Sequence, residues 1–355
     1  MKRDRFLAVR LAISSLSRAV SHYGKKRSLQ AWLQLASYFS KKLRRIPTPL
    51  IVVIAVTHRC QCACPHCYAM ARRNGHAAEM SGAEIKGVID QIKALGVPEI
   101  LFTGGDPLLR EDILDLVAYA RKKGMLTRIS TNGYLLTREL ASNLKLAGLD
   151  KCGVSIDDAD PRIHDRMRGL PGIYDKAVQG LRYLRECGIE TKILTYATHR
   201  NVIEGLERII ALGRKLGVRL VYIDIPRAAG RWTDSFDEVL SDAESAHLRR
   251  IQDPGFVQIE FPTPETLCCA CDKEFFFINP AGEVTPCAVV PYTLGSLREE
   301  PLADIWKRHA ASLKLEYRGE CPMNDEKARE ALRSHAESVR AGGPCGEWAL
   351  GDGRG

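Results

Sequence analysis

Between residues 50 and 224 the chain alternates short apolar runs with amphipathic ones, and few folds accept that order. The apolar runs, at 50–56, 98–103, 126–130, 151–156, 190–197 and 218–224, have the length and β-branched content of buried strands. The intervening stretches, for example 82–95, 110–123, 136–147, 174–187 and 201–216, carry apolar residues at helical spacing. Gly148, Gly188 and Gly217 each follow a helical run and precede a strand, the place of a helix C-terminal glycine. Strand–helix units in series predict an α/β fold, a parallel sheet with helices outside. Where such a sheet closes into an α/β barrel, the chemistry gathers at the C-terminal ends of the strands.

Directly after the first strand stand Cys60, Cys64 and Cys67, spaced C-x3-C-x2-C. Thiolates in so short a loop can converge on one face of an iron–sulfur cluster and leave one iron open. A zinc knuckle or a redox dithiol pair is the alternative, although zinc sites favour paired C-x2-C units. Cys62 is a fourth candidate among them, but its side chain is expected to point away. Thr103-Gly104-Gly105-Asp106-Pro107 follows the second strand, Ser130-Thr131-Asn132-Gly133 the third and Ser155-Ile156-Asp157 the fourth. His164-Asp165 and Arg168-Gly169 come next. By residue type alone each of these is turn or helix-cap chemistry.

Together the segments resemble the radical S-adenosylmethionine (radical SAM) superfamily, whose motif is C-x3-C-x-φ-C, with His66 here at φ. The resemblance covers about 50–230. It implies a partial (β/α)6 TIM-type barrel whose Cys60, Cys64 and Cys67 hold a [4Fe-4S] cluster. SAM is chelated at the open iron and cleaved reductively to a 5′-deoxyadenosyl radical. Gly104, Gly105 and Asp106 match the segment that holds the SAM amine, with Asp106 in place of the commoner Glu. Ser155 and Asp157, with Asn132 and Arg168, match polar groups that contact its ribose and carboxylate. Asn201 with Glu204 resembles a structural cap of the next helix. Pro226–Arg231 resembles a segment near the adenine or substrate.

A second cysteine group follows a linker with one polar helix at 232–262: Cys268, Cys269, Cys271, then Cys287 and Cys321. Two strands joined at Asn279-Pro280-Ala281-Gly282 would bring Cys271 back beside Cys287. Cys268, Cys271, Cys287 and Cys321 could make a four-thiolate set, with Cys269 competing for the first place and structural zinc as the other occupant. The C-x10-G-x4-C spacing resembles the twitch module, the short relative of the SPASM domain, and implies one auxiliary [4Fe-4S] cluster. Cys152 and Cys187 sit in apolar surroundings as core thiols, and Cys345 lies in a Gly/Pro-rich tail.

Charge is uneven. Residues 1–45 hold twelve Lys/Arg and one acid, whereas the remainder is close to neutral. Residues 5–22 and 28–43 read as basic amphipathic helices, the second with Leu29, Trp32, Leu33, Ala36 and Phe39 on one face. They can pack on the barrel or lie on an anionic membrane surface; nucleic acid is not the expected partner. No run reaches transmembrane length, and clustered cysteines without a secretory signal suggest a reducing, cytoplasmic setting, with room for docking at the inner membrane face.

The expected organisation is basic helices over 1–45, a radical SAM core over 46–231, a linker and twitch-like unit over 232–325 and a helical, flexible tail over 326–355. The implied activity is hydrogen abstraction from a substrate C–H bond for an oxidative or bond-forming modification. Peptide is the expected substrate and a lipid-linked molecule the alternative, with a flavodoxin or ferredoxin as reductant. A non-catalytic iron–sulfur electron carrier is the rival, but a carrier needs no open iron.

Overall fold

The structure, a computed structural model, describes residues 29–44, 46–69, 78–232, 236–259, 273–290, 292–311 and 321–341. The first amphipathic helix of the sequence reading, together with Cys268, Cys269, Cys271 and Cys345, lies outside the described residues.

Six strands stand where the apolar runs place them: β1 (Ile51–Ala55), β2 (Glu99–Thr103), β3 (Leu126–Thr131), β4 (Lys151–Ser155), β5 (Glu190–Tyr196) and β6 (Leu220–Asp224). Helices alternate with them. After α1 (Leu29–Leu43) come α2 (Gly82–Leu95), α3 (Ile113–Lys122) and α4 (Arg138–Ala147). Then follow α5 (Pro161–Arg168), α6 (Ile173–Glu186) and α7 (Gly205–Leu216). Ser81 starts α2 with a reciprocal capping box to Glu84, satisfying donors that a helix start otherwise leaves open. Gly148 and Gly217 close α4 and α7 in the left-handed conformation that their position predicts.

The sheet extends further than six strands. The stretch read as a linker with one polar helix holds that helix, α8 (Asp242–Ile251), and in addition β7 (Val257–Ile259), which pairs parallel to β6. A three-residue strand is too short to leave a periodic signature. β8 (Phe275–Ile278) and β9 (Glu283–Thr285) form the expected antiparallel hairpin at Asn279–Gly282. β8 also pairs parallel to β1, with Val53 opposite Phe277. With β10 (Gly295–Ser296), the strand order is β10-β9-β8-β1-β2-β3-β4-β5-β6-β7. The second cysteine region is thus built onto the edge of the sheet whose first strand carries the first. Two further helices, α9 (Leu302–Ala311) and α10 (Glu326–Arg340), complete the described chain.

Strand periodicity divides the sheet into two unlike faces. Val52, Ile54, Ile100, Phe102, Ile129, Cys152, Val154, Ile193 and Val221 are buried in one core beneath the helices. Their alternates Val53, Leu101, Ser130, Ser155, Leu194 and Tyr222 are half-exposed. The inner face is therefore lined but not filled, as a sheet that receives a ligand should be.

The α1 helix fastens to this body by a buried Tyr38, by Lys41 Nζ donating to the Leu95 carbonyl (2.9 Å) and by a Lys42–Glu274 ion pair (2.6 Å). Its expected apolar face is turned: Leu33 and Ala36 are exposed, along with Leu43. Among the described residues no helix is long and apolar enough to cross a membrane.

Candidate active site

The loop after β1 carries Cys60, Cys62, Cys64 and Cys67, which gather in one small cluster with Ile173, Tyr134 and Leu170. Three neighbouring rim segments fix its path. From β2, Gly105 N donates to the Thr57 carbonyl (2.7 Å) and Asp106 N to the Arg59 carbonyl (2.8 Å). The glycines are steric requirements here. A Cβ on Gly104 would lie 2.4 Å from the Thr57 carbonyl oxygen and one on Gly105 would lie 2.2 Å from that of Arg59. From the end of α5, the Arg168 carbonyl accepts from Ala63 N (2.8 Å). From the segment after β6, Arg231 N donates to the Cys67 carbonyl (3.2 Å), and its guanidinium reaches the Ala63 and Cys64 carbonyls at 2.9 and 3.1 Å.

Electrostatics favour thiolates. The Cys62 thiol, expected to point away, instead hydrogen-bonds Cys60 and Cys64, and this holds both below the ordinary thiol range against the opposing effect of burial. Cys62 itself is pushed up. Arg168 adds positive charge beside Cys64, with Nη1 at 3.6 Å from its sulfur. Asn132 Nδ2 lies 3.8 Å from Cys60 Sγ. Donors of this kind directed at ligand sulfur stabilise and tune a bound cluster. Among the described residues no three Cys, His, Asp or Glu side chains enclose a lone metal position. The donor set, three thiols in one loop with N–H groups facing two of them, fits a [4Fe-4S] cluster.

Asp157 and Arg168 form a buried two-pronged pair, Nε–Oδ2 2.7 Å and Nη2–Oδ1 2.9 Å. Burial would raise the Asp157 carboxyl, but Arg168, His66 and His164 outweigh it and hold the group below its ordinary range. His66, at the φ position, stacks on Tyr196 (5.0 Å, 20°) and tilts against Trp232 (5.9 Å). Burial draws its imidazole down to about 4, so the ring is neutral near pH 7. Asp106 is buried; its carboxylate accepts from Leu108 N, Thr131 Oγ1 and Asn132 N, tying the ends of β2 and β3 together. Ser155 stands half-exposed on the inner face. Asn201 bonds Thr198 N and the Tyr196 carbonyl, which makes it a brace of the β5 rim.

Cys287 and Cys321 come together in a second cluster with Ala229, Val290, Met323 and Leu332. Asn324 binds this region to the rim after β6, accepting from Ala228 N (2.9 Å) and donating to the Pro226 carbonyl (3.3 Å). Residues absent from the sequence reading thus shape the site: Tyr196, Trp232 and Asn324, and Glu79, which accepts from Thr57 Oγ1 and His58 N at the base of the cysteine loop. None belongs to a spaced motif, so only the folded rim identifies them.

A thiolate-rich loop on the C-terminal rim of a parallel sheet, with a second cysteine region at the sheet edge, defines an iron–sulfur α/β enzyme. Residues 54–220 match the radical SAM superfamily and 268–332 the SPASM iron–sulfur cluster-binding domain. The chain belongs to the radical SAM superfamily, and membership brings with it [4Fe-4S] clusters and SAM. It is 33% identical to an AdoMet-dependent heme synthase of Nitratidesulfovibrio vulgaris, over 82% of this chain and 89% of that one. It is 30% identical to a PqqA peptide cyclase of Granulibacter bethesdensis, over 77% of each. Its fold is similar to that of Streptococcus suis SuiB bound to precursor peptide SuiA, with a TM-score of 0.61 at 17% identity, covering 93% of this chain and 79% of that one.

Proposed function

We propose that this enzyme abstracts hydrogen from an unactivated C–H bond of a peptide and completes an oxidative or bond-forming change there. The C-terminal thiolates, Cys268, Cys271, Cys287 and Cys321, would hold an auxiliary [4Fe-4S] cluster, which would supply an electron acceptor. The observation that carries the reading is the segment Pro226–Arg231. Its Arg231 grips the loop of Cys64 and Cys67, while its Ala228 and Pro226 bond Asn324, three residues beyond Cys321. One short rim segment therefore braces both cysteine sites, the arrangement expected when a substrate must address the two in turn.

When bound, the first cluster and SAM supply reductive cleavage to a 5′-deoxyadenosyl radical. The chain's own groups do the positioning. Cys60, Cys64 and Cys67 would hold the cluster as thiolates, and Asn132 and Arg168 direct N–H groups at the sulfurs of Cys60 and Cys64. With the Asp106 carboxylate engaged between two strands, the Gly104–Asp106 backbone is left to meet the SAM amine. Ser155, half-exposed on the inner face, would contact the ribose. The helices seal one face of the sheet from water and the inner face receives substrate, protecting a reactive intermediate.

The peptide reading is supported by the peptide cyclase relative. A second reading, a step of heme synthesis, is favoured by the higher identity and coverage of the heme synthase relative. The deciding experiment is anaerobic incubation with SAM and a reductant, a flavodoxin or dithionite, with 5′-deoxyadenosine measured by chromatography. Its formation is expected; its absence across several reductants would leave a non-catalytic electron carrier.

A further inference from the structure

The end of the inner face opposite the cysteine loop is charged. Arg128, Lys151 and Glu190 lie side by side in register across β3, β4 and β5. Glu99 opens β2 and pairs with Arg128 (2.6 Å), and Lys151 pairs with Glu190 (3.1 Å). Lys192, two residues along β5 from Glu190, projects to the same face by strand alternation. It is a third cation on a floor with two carboxylates. Its residue is 4% exposed, and among the described residues no hydrogen bond or ion pair reaches its ammonium. A charged layer that only closed the sheet would be complete with the two pairs. An ammonium withdrawn from water is costly and loses its proton readily; burial, with Arg128 and Lys151 nearby, outweighs the opposing pull of Glu99 and Glu190 and draws Lys192 down to about 6.

The chemistry that completes this floor is a carboxylate. Resting on the function proposed above, we propose that Lys192, flanked by Arg128 and Lys151, seats a carboxylate of the substrate. From Lys192 to Tyr196, whose ring stacks on His66 of the cysteine loop, is roughly 13 Å of strand. The ligand is therefore extended, with an acid at one end and its reacting carbon near the rim. Half-exposed Leu194 lies between the two along β5. Peptide acids and tetrapyrrole propionates share this chemistry.

The test uses the full chain with its clusters reconstituted. Thermal midpoints are read in propionate and in chloride at matched ionic strength, for wild type, Lys192→Met and Lys192→Arg. Propionate is expected to raise the midpoint of wild type and Lys192→Arg but not of Lys192→Met. In chloride the Met variant should melt no lower than wild type, since it loses only a buried unpaired amine. An identical propionate response in wild type and Lys192→Met, or no response in wild type, overturns the proposal. Direct binding then separates the sources. Coproporphyrin III is compared with its tetramethyl ester, and a glutamate-containing peptide with its glutamine counterpart. The acid that belongs to the site should weaken about tenfold or more in Lys192→Met. Equal affinities of the two proteins for both acids would overturn the seat. 5′-Deoxyadenosine is measured in parallel; its absence in wild type sinks the function and leaves carboxylate binding standing.

Discussion

Arg168 grips Asp157 with two nitrogens at 2.7 and 2.9 Å while its third lies 3.6 Å from the sulfur of Cys64. A single side chain thus joins the end of β4 to the cysteine loop, and both partners of the pair are almost fully buried.

Breaking that pair from one side should cost stability and cluster together. Arg168→Ala leaves the buried Asp157 with no hydrogen-bonded cation, only His66 at 3.8 Å, a loss of about 3–5 kcal/mol. The double variant Asp157→Asn with Arg168→Met should recover most of the stability but still bind the first cluster poorly, because the donor to Cys64 is gone. Urea midpoints and iron content measured on the same preparations check both halves.

Gly105→Ala should damage the site without unfolding the protein. The added carbon would lie 2.2 Å from the Arg59 carbonyl and 2.7 Å from that of His58, so the cysteine loop must shift. Circular dichroism should stay native while iron falls from about eight to about four atoms per chain. Retention of all the iron would refute the steric account of this glycine.

The C-terminal thiolates give a complementary prediction. Changing Cys287 and Cys321 to Ala should remove about four irons and leave the others. Formation of 5′-deoxyadenosine should persist while product formation stops. If the wild type holds about four irons and this variant loses none, the second site binds zinc or nothing, and electron transfer to it falls.

Lys192 predicts a pH dependence whose sign follows from its lowered folded-state value. The unfolded chain takes up the proton below 10.5, and the folded chain only below about 6. Between these values the unfolded state binds more protons, so stability due to this residue rises with pH. The difference in urea midpoint between Lys192→Met and wild type should therefore shrink from about pH 7 to about pH 9. A difference that stays constant across the range would place the lysine in a charged, paired environment.

The exposed Leu33 and Leu43 of α1, beside a strongly basic N-terminus, predict binding to anionic vesicles. Sedimentation with phosphatidylglycerol vesicles should fall in Leu33→Glu and on removal of residues 1–28, with no change for neutral vesicles. Equal sedimentation of all three proteins would assign the basic residues to solvation alone.

Strand and helix order from Leu50 to Asp224 was determined by the sequence itself, since apolar period and chain punctuation are local properties. The three cysteines and their family were equally local, because a spaced motif survives without coordinates. Only the tertiary structure decided what contacts build the site. Cys62 turns toward Cys60 and Cys64, Asp106 is spent in tying β2 to β3, and β7 and β8 extend the sheet at its two sides. The face of α1 that meets the body and the burial of Lys192 on the inner face belong to the same class. The loop of Cys62 is held from a distance, by Arg168 and Arg231, and the other features depend directly on residues dozens or hundreds of positions apart; burial and pairing at that range are set by how the sheet brings its rims together, which no periodicity along the chain records.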